Sequence, residues 1–96
     1  MLLQDSGIFA VVLEKIPADL AKKVTTSLKI PTVGIGAGIN CDGQILVTHD
    51  MLGMTEMFRP RFVRRYLDAA KLTKDAFKSY IKDVKDEKFP AKSESY

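Results

Sequence analysis

Ile8-Phe9-Ala10-Val11-Val12-Leu13-Glu14, followed by Lys15-Ile16-Pro17, is the stretch on which the fold turns. A strand in a parallel sheet is covered on both faces, so it reads as an unbroken apolar run and not as an alternation. The run stops on a carboxylate, and Pro17 soon after lacks the backbone N–H that further pairing would need. In an α/β barrel the reacting groups stand at the C-terminal ends of the strands, which makes Glu14 a candidate active-site residue. The ordinary alternative is an acidic side chain meeting water in a loop, and position alone leaves both open.

Working outward, Pro17 suits the first position of a helix, and Leu20, Val24 and Leu28 recur every four residues along one side. That helix should end near Lys29, because Pro31 disfavours the helical region for Ile30. Thr32-Val33-Gly34-Ile35-Gly36 reads as a second short buried strand, which completes a strand-helix-strand unit. A glycine-rich loop then leads to Gln44-Ile45-Leu46-Val47-Thr48-His49-Asp50, either a third strand or a helix of one and a half turns. Beyond Pro60 the spacing turns helical: Phe62, Val63, Tyr66 and Ala70 share one stripe. After Thr73 as N-cap, Ala76, Phe77, Tyr80, Ile81 and Val84 share another. The expected organisation is one domain over 1–96, with a helical end over 60–88 and a loosely held tail over 89–96.

Three such units amount to about three-eighths of a (β/α)8 barrel, a fold that typically takes ~250 residues. An incomplete barrel leaves strand edges open, and open edges invite pairing with other chains, so a homo-oligomer is expected. The rest of the composition narrows the partners. A net charge of +3 is mild, with 46% hydrophobic and 28% charged residues as in an ordinary globular protein. The basic excess sits around Arg59, Arg61, Arg64, Arg65 and the later lysines, and those lysines alternate with acids, as in Lys82-Asp83-Val84-Lys85-Asp86-Glu87-Lys88. Alternation of this kind marks a solvated helix face and not a nucleic-acid footprint. No apolar run approaches the ~20 residues that cross a bilayer, and no secretory signal opens the chain, so a cytoplasmic protein without membrane contact is expected. Cys41 is the single cysteine; it can form no intrachain disulfide and no thiolate zinc site, and reads as a small buried or half-buried loop residue.

Two motifs invite a stronger reading and fail it. In Gly34-Ile35-Gly36-Ala37-Gly38 the dinucleotide pattern breaks in both registers, because Ile39 and Cys41 occupy the third glycine position. Gly38 and Gly43 have the Walker gap, yet Gln44-Ile45 stands where Lys and Ser or Thr must follow. Glycines that let the backbone turn tightly beneath a ligand remain as the reading of this loop. His49-Asp50 would point to opposite faces of a strand and there is no second histidine, so His49 is expected as a packing residue.

The segments Leu13-Glu14-Lys15-Ile16-Pro17-Ala18-Asp19-Leu20-Ala21, Ile30-Pro31-Thr32-Val33-Gly34-Ile35-Gly36-Ala37-Gly38 and Cys41-Asp42-Gly43-Gln44-Ile45-Leu46-Val47-Thr48-His49-Asp50-Met51-Leu52-Gly53 together resemble the ketopantoate hydroxymethyltransferase family. The likeness continues through Phe62-Val63-Arg64-Arg65-Tyr66 to Phe89-Pro90. The resemblance implies a (β/α)8 TIM barrel of the phosphoenolpyruvate/pyruvate type, of which this chain would be the C-terminal part. It also implies a transferase of pantothenate biosynthesis that moves a one-carbon unit from 5,10-methylenetetrahydrofolate to 3-methyl-2-oxobutanoate, giving 2-dehydropantoate, with Mg2+ holding the keto acid. On this resemblance Glu14 falls at the proton-abstracting carboxylate, and Ile35 and Val47 at apolar positions lining the keto-acid pocket. The family's metal ligands would lie on strands N-terminal to this chain, leaving no metal ligand within it. Activity of these residues alone is then in question, and a catalytically inactive, self-associating barrel fragment is the alternative. Local departures are Lys15-Ile16, where the family often has Cys and Val, and Ser93-Glu94, where Glu-His is usual.

Overall fold

The computed structural model describes all residues from Met1 to Tyr96. In chain order it contains helix α1 (Leu2–Asp5), strand β1 (Val11–Glu14), helix α2 (Ala18–Ser27), strands β2 (Thr32–Ile35) and β3 (Gly43–Gln44), helices α3 (Thr48–Met51) and α4 (Ala69–Lys85), and a 3-10 turn over Lys92–Glu94. The strands form one sheet in the order β1-β2-β3, and both pairings are parallel. A parallel neighbour demands a crossover between strands, and α2 supplies it between β1 and β2. The expected α/β architecture is therefore present as a small parallel sheet with its first crossover helix.

Side-chain alternation divides the sheet into two faces. Val11 and Leu13 turn toward α1 and α2, where they line an apolar space of about 440 Å³ with Leu2, Leu3, Val24 and Leu28. Val12 and Glu14 consequently point to the opposite face. In-register pairing sets Val12 beside Val33 and Glu14 beside Ile35 on that face. Toward α2, Thr32 is fully buried at 0% exposure. Its hydroxyl shares a 2.8 Å hydrogen bond with that of Thr25, and its backbone N–H donates to Asp42 Oδ2 at 2.8 Å. The same hydroxyl lies within hydrogen-bonding distance of the Asp42 carboxylate and of the Asp42 N–H. One polar knot thus ties the crossover helix, the central strand and the loop that enters β3.

Several sequence expectations are corrected here. The buried stripe of α2 is turned by one position: Ala21 is buried and Val24, Thr25 and Leu28 are half-buried, while Leu20 is 49% exposed. A small residue at 21 lets the helix approach the sheet, and Thr25 needs that approach to reach Thr32. The stretch 44–50 is neither simply strand nor simply helix, since β3 ends at Gln44 and α3 begins at Thr48. The helical end over 60–88 starts late, at Ala69, and Thr73 lies inside α4 instead of capping it. The reason is tertiary. The N–H groups of Tyr66, Ala69 and Ala70 donate to the carbonyls of Met51, Leu52 and Gly53 at 2.8, 3.0 and 3.0 Å, so the α3 turn holds Tyr66 outside a helix and satisfies the first free donors of α4 where it begins at Ala69. His49 is exposed on α3, and its side chain makes no hydrogen bond, so it is not the packing residue expected.

The whole is elongated. The radius of gyration is 22.3 Å, against about 12–13 Å for a compact chain of this length. Beyond Ala70 every residue is exposed, and α4 makes no extensive contact with any other element. No helix is long and apolar enough to cross a membrane.

Candidate active site

Glu14 ends β1 at the edge of the sheet's C-terminal rim. The next residue, Lys15, adopts φ +48°, a left-handed conformation uncommon for a residue with a Cβ. Its N–H donates to the Ile35 carbonyl at 2.8 Å, so the ladder to β2 is held one residue beyond the carboxylate while the chain turns away. Strain of this kind persists only where the surroundings impose it, and it is found preferentially at functional sites. Glu14 itself is exposed on the face away from α2 and accepts no hydrogen bond from the chain.

Ile35 is 8% exposed and is the register partner of Glu14, so these two predicted residues stand side by side. Val47 is not in that pair. It precedes α3 with an extended backbone, past the last ladder bond from the Ile45 N–H to the Gly34 carbonyl, and is 52% exposed. Cys41, half-buried and free, packs over Gly34 on the α2 face: a Cβ added at Gly34 would sit 2.9 Å from its sulfur. That glycine is required by close approach and not by phosphate binding.

At the same end of the sheet a cavity of about 680 Å³ opens between the glycine loop and the segment after Pro60. Gly36, Gly38, Gln44, Ile45, Phe62, Arg64 and Tyr66 are among its walls. Gly36 has φ +65°, and a Cβ there would come within 2.7 Å of the Phe62 ring, so only glycine admits both the turn and the aromatic lid. Gln44 is fixed by donating from Nε2 to the Gly38 carbonyl at 2.8 Å. The participation of Phe62, Arg64 and Tyr66 was missed in the sequence. Their spacing of two, following a proline, is the signal of an extended segment with one side presented to the cavity. Val63, in between, is buried, and Arg65 turns to donate to the Thr55 carbonyl at 2.8 Å.

On exposed α4 the Asp75 carboxyl is held below its ordinary range, and Lys71 above its own, by their mutual hydrogen bond and charge. Nowhere do three or more His, Cys, Asp or Glu side chains gather.

Comparison with known proteins adds the lineage. A sequence model of the ketopantoate hydroxymethyltransferase family matches residues 1–92. Proteins named 3-methyl-2-oxobutanoate hydroxymethyltransferase are similar to nearly the whole chain: that of Chlorobaculum tepidum is 55% identical over 95 residues, 99% of this chain and 34% of the relative. That of Chlorobium phaeobacteroides is 57% identical over 96 residues, 100% of this chain and 35% of the relative. That of Bdellovibrio bacteriovorus is 54% identical over 94 residues, 98% of this chain and 36% of the relative. The chain spans about a third of the length of these curated relatives. A parallel sheet with a crossover helix, a carboxylate at a strand tip and a family match from residue 1 to residue 92 lead to one conclusion: this chain belongs to the ketopantoate hydroxymethyltransferase family, an enzyme family of TIM-barrel type.

Proposed function

We propose that the chain is the C-terminal portion of a hydroxymethyltransferase barrel of the phosphoenolpyruvate/pyruvate type, acting in the cytoplasm in pantothenate biosynthesis. The reaction is transfer of a one-carbon unit from 5,10-methylenetetrahydrofolate to 3-methyl-2-oxobutanoate, giving 2-dehydropantoate. The observation that carries this reading is Glu14 at the tip of β1, registered beside Ile35 and followed by the strained, pinned Lys15.

A proton next to a ketone is removed when a base comes within about 3 Å of it. Glu14 Oε takes the C3 proton of the keto acid. The carbanion bonds to the one-carbon unit as that carbon's two bonds to the folate nitrogens break, and water supplies the hydroxyl. The C3 proton and the remaining water proton leave on the released tetrahydrofolate. Ile35 and Val47 supply apolar wall to the isopropyl end of the acid. Glutamate has a reference pKa near 4.3 and is a weak base until water is excluded around it, so covering the face that holds Val12 and Glu14 is part of the mechanism. No three His, Cys, Asp or Glu side chains of this chain gather, and Mg2+, when bound, would polarise the keto acid from ligands supplied outside these residues.

A second reading is favoured by a separate observation. Phe9, Ile39, Met57, Phe58 and the apolar side of α4 are exposed, as in a self-associating fragment without activity. Exchange of the C3 hydrogen of 3-methyl-2-oxobutanoate, followed by proton NMR in deuterated buffer with Mg2+, separates the two. Exchange in the polypeptide that carries these residues supports the enzyme. A folded, associated protein without exchange supports the fragment.

A further inference from the structure

We propose that Arg64, flanked by Phe62 and Tyr66, is the anchor for a carboxylate linked to an aromatic ring, the aminobenzoyl-glutamate end of the one-carbon donor, in the cavity above the glycine loop. This rests on the hydroxymethyltransferase reading and assigns the donor a place within it.

Arg64 is the one charged side chain among the cavity walls. It has no acidic partner, since the ion pairs of the chain join Lys71 to Asp75, Lys74 to Glu56 and Lys82 to Asp86. Between Glu56 and Asp68 the chain holds Arg59, Arg61, Arg64 and Arg65 and no carboxylate at all. Arg64 therefore brings to the cavity a positive charge that no ion pair of the chain neutralises. The guanidinium carbon lies 6.0 Å from the centre of the Tyr66 ring, and Nη1 makes only a long 3.5 Å hydrogen bond to the Tyr66 hydroxyl. Most of its donor fork stays free for a carboxylate, which it matches in a bidentate manner.

Shape selects among anions. The keto acid is small and aliphatic, whereas the cavity of about 680 Å³ falls in the range that encloses ligands of several rings. Phe62 and Tyr66 offer flat faces on which an aromatic ring stacks. A ligand that carries both an aromatic ring and a carboxylate satisfies the stacking faces and the charge, and the aliphatic acid satisfies only the charge.

The test is calorimetric titration of the whole polypeptide carrying these residues with 4-aminobenzoyl-glutamate, with its neutral diamide and with 3-methyl-2-oxobutanoate. Arg64→Met keeps the aliphatic stem, and Arg64 is exposed, so the fold is expected to survive. The expected result is a loss of about tenfold to a hundredfold in affinity for 4-aminobenzoyl-glutamate in Arg64→Met, partial recovery in Arg64→Lys, and unchanged keto-acid binding. The diamide should bind the unaltered protein at least about tenfold more weakly than the acid. Equal affinity of the probe for Arg64→Met and the unaltered protein, equal binding of acid and diamide, no detectable binding of the probe, or selective loss of the keto acid would each overturn the proposal. If Glu14→Gln leaves C3 exchange intact while Arg64→Met loses the probe, the base assignment fails and the anion site stands.

Discussion

Lys15 and Thr32 show how individual residues position the site. A left-handed φ costs an L-residue with a Cβ about 1 kcal/mol, and Lys15 accepts that cost to turn the chain just after Glu14 while its N–H keeps the bond to Ile35. Thr32 acts from beneath. It is the largest fully buried side chain, and its hydroxyl serves both Thr25 of α2 and Asp42 of the loop entering β3. Thr32→Val preserves the shape and removes those bonds, and is expected to destabilise the whole polypeptide that carries these residues by about 1–2 kcal/mol, read as a lower urea midpoint. An unchanged midpoint would show that the knot contributes nothing net. The hydroxyl network was not legible in the sequence, where Thr32 reads only as the first residue of a buried strand. Three polar groups brought together from positions 25, 32 and 42 leave no periodic trace.

Among the elements, α4 is the clearest case of sequence and structure agreeing in kind and differing in extent. Its apolar stripe of Phe77, Tyr80, Ile81 and Val84 was readable from spacing alone, because a period near 3.6 survives whatever the helix packs against. Its start was not readable. Where the helix starts depends on the Met51, Leu52 and Gly53 carbonyls, which accept from the Tyr66, Ala69 and Ala70 N–H groups and are remote in sequence. The end of strand β1 and the limits of helix α2 fared better because prolines 17 and 31 mark them locally, whereas β1 begins only at Val11 of the apolar run and Phe9 before it is exposed. The end of α4 is a Schellman motif: the Lys88 N–H donates to the Asp83 carbonyl at 2.8 Å and the Glu87 N–H to that of Val84 at 3.2 Å. Glu87 holds φ +58° there, a position that favours glycine. Glu87→Gly is therefore expected to stabilise α4 by roughly 0.5–1 kcal/mol, measured by circular dichroism during urea unfolding. A loss of helicity would contradict the capping account.

At the scale of the molecule the deciding quantity is surface. The chain exposes 7963 Å², whereas a compact protein of its mass exposes about 5,500 Å². Only 7 of 96 residues are buried, too few to sustain a cooperative core, so the 96 residues expressed alone are expected to associate. Sedimentation should show species heavier than 10.7 kDa, and urea should give a broad transition. A sharply unfolding monomer would refute this. The same uncovered sheet face carries Val12 and Glu14, so covering it and activating the base are one event in the proposed mechanism. The most direct measurement is the rate of C3 hydrogen exchange of 3-methyl-2-oxobutanoate in the whole polypeptide, compared among the unaltered protein, Glu14→Gln and Glu14→Asp. The account predicts a fall of about 10²–10⁴ for Gln, as expected for loss of a general base, and a smaller fall for Asp, which keeps the carboxylate but draws it back. Exchange at the original rate in Glu14→Gln would contradict it.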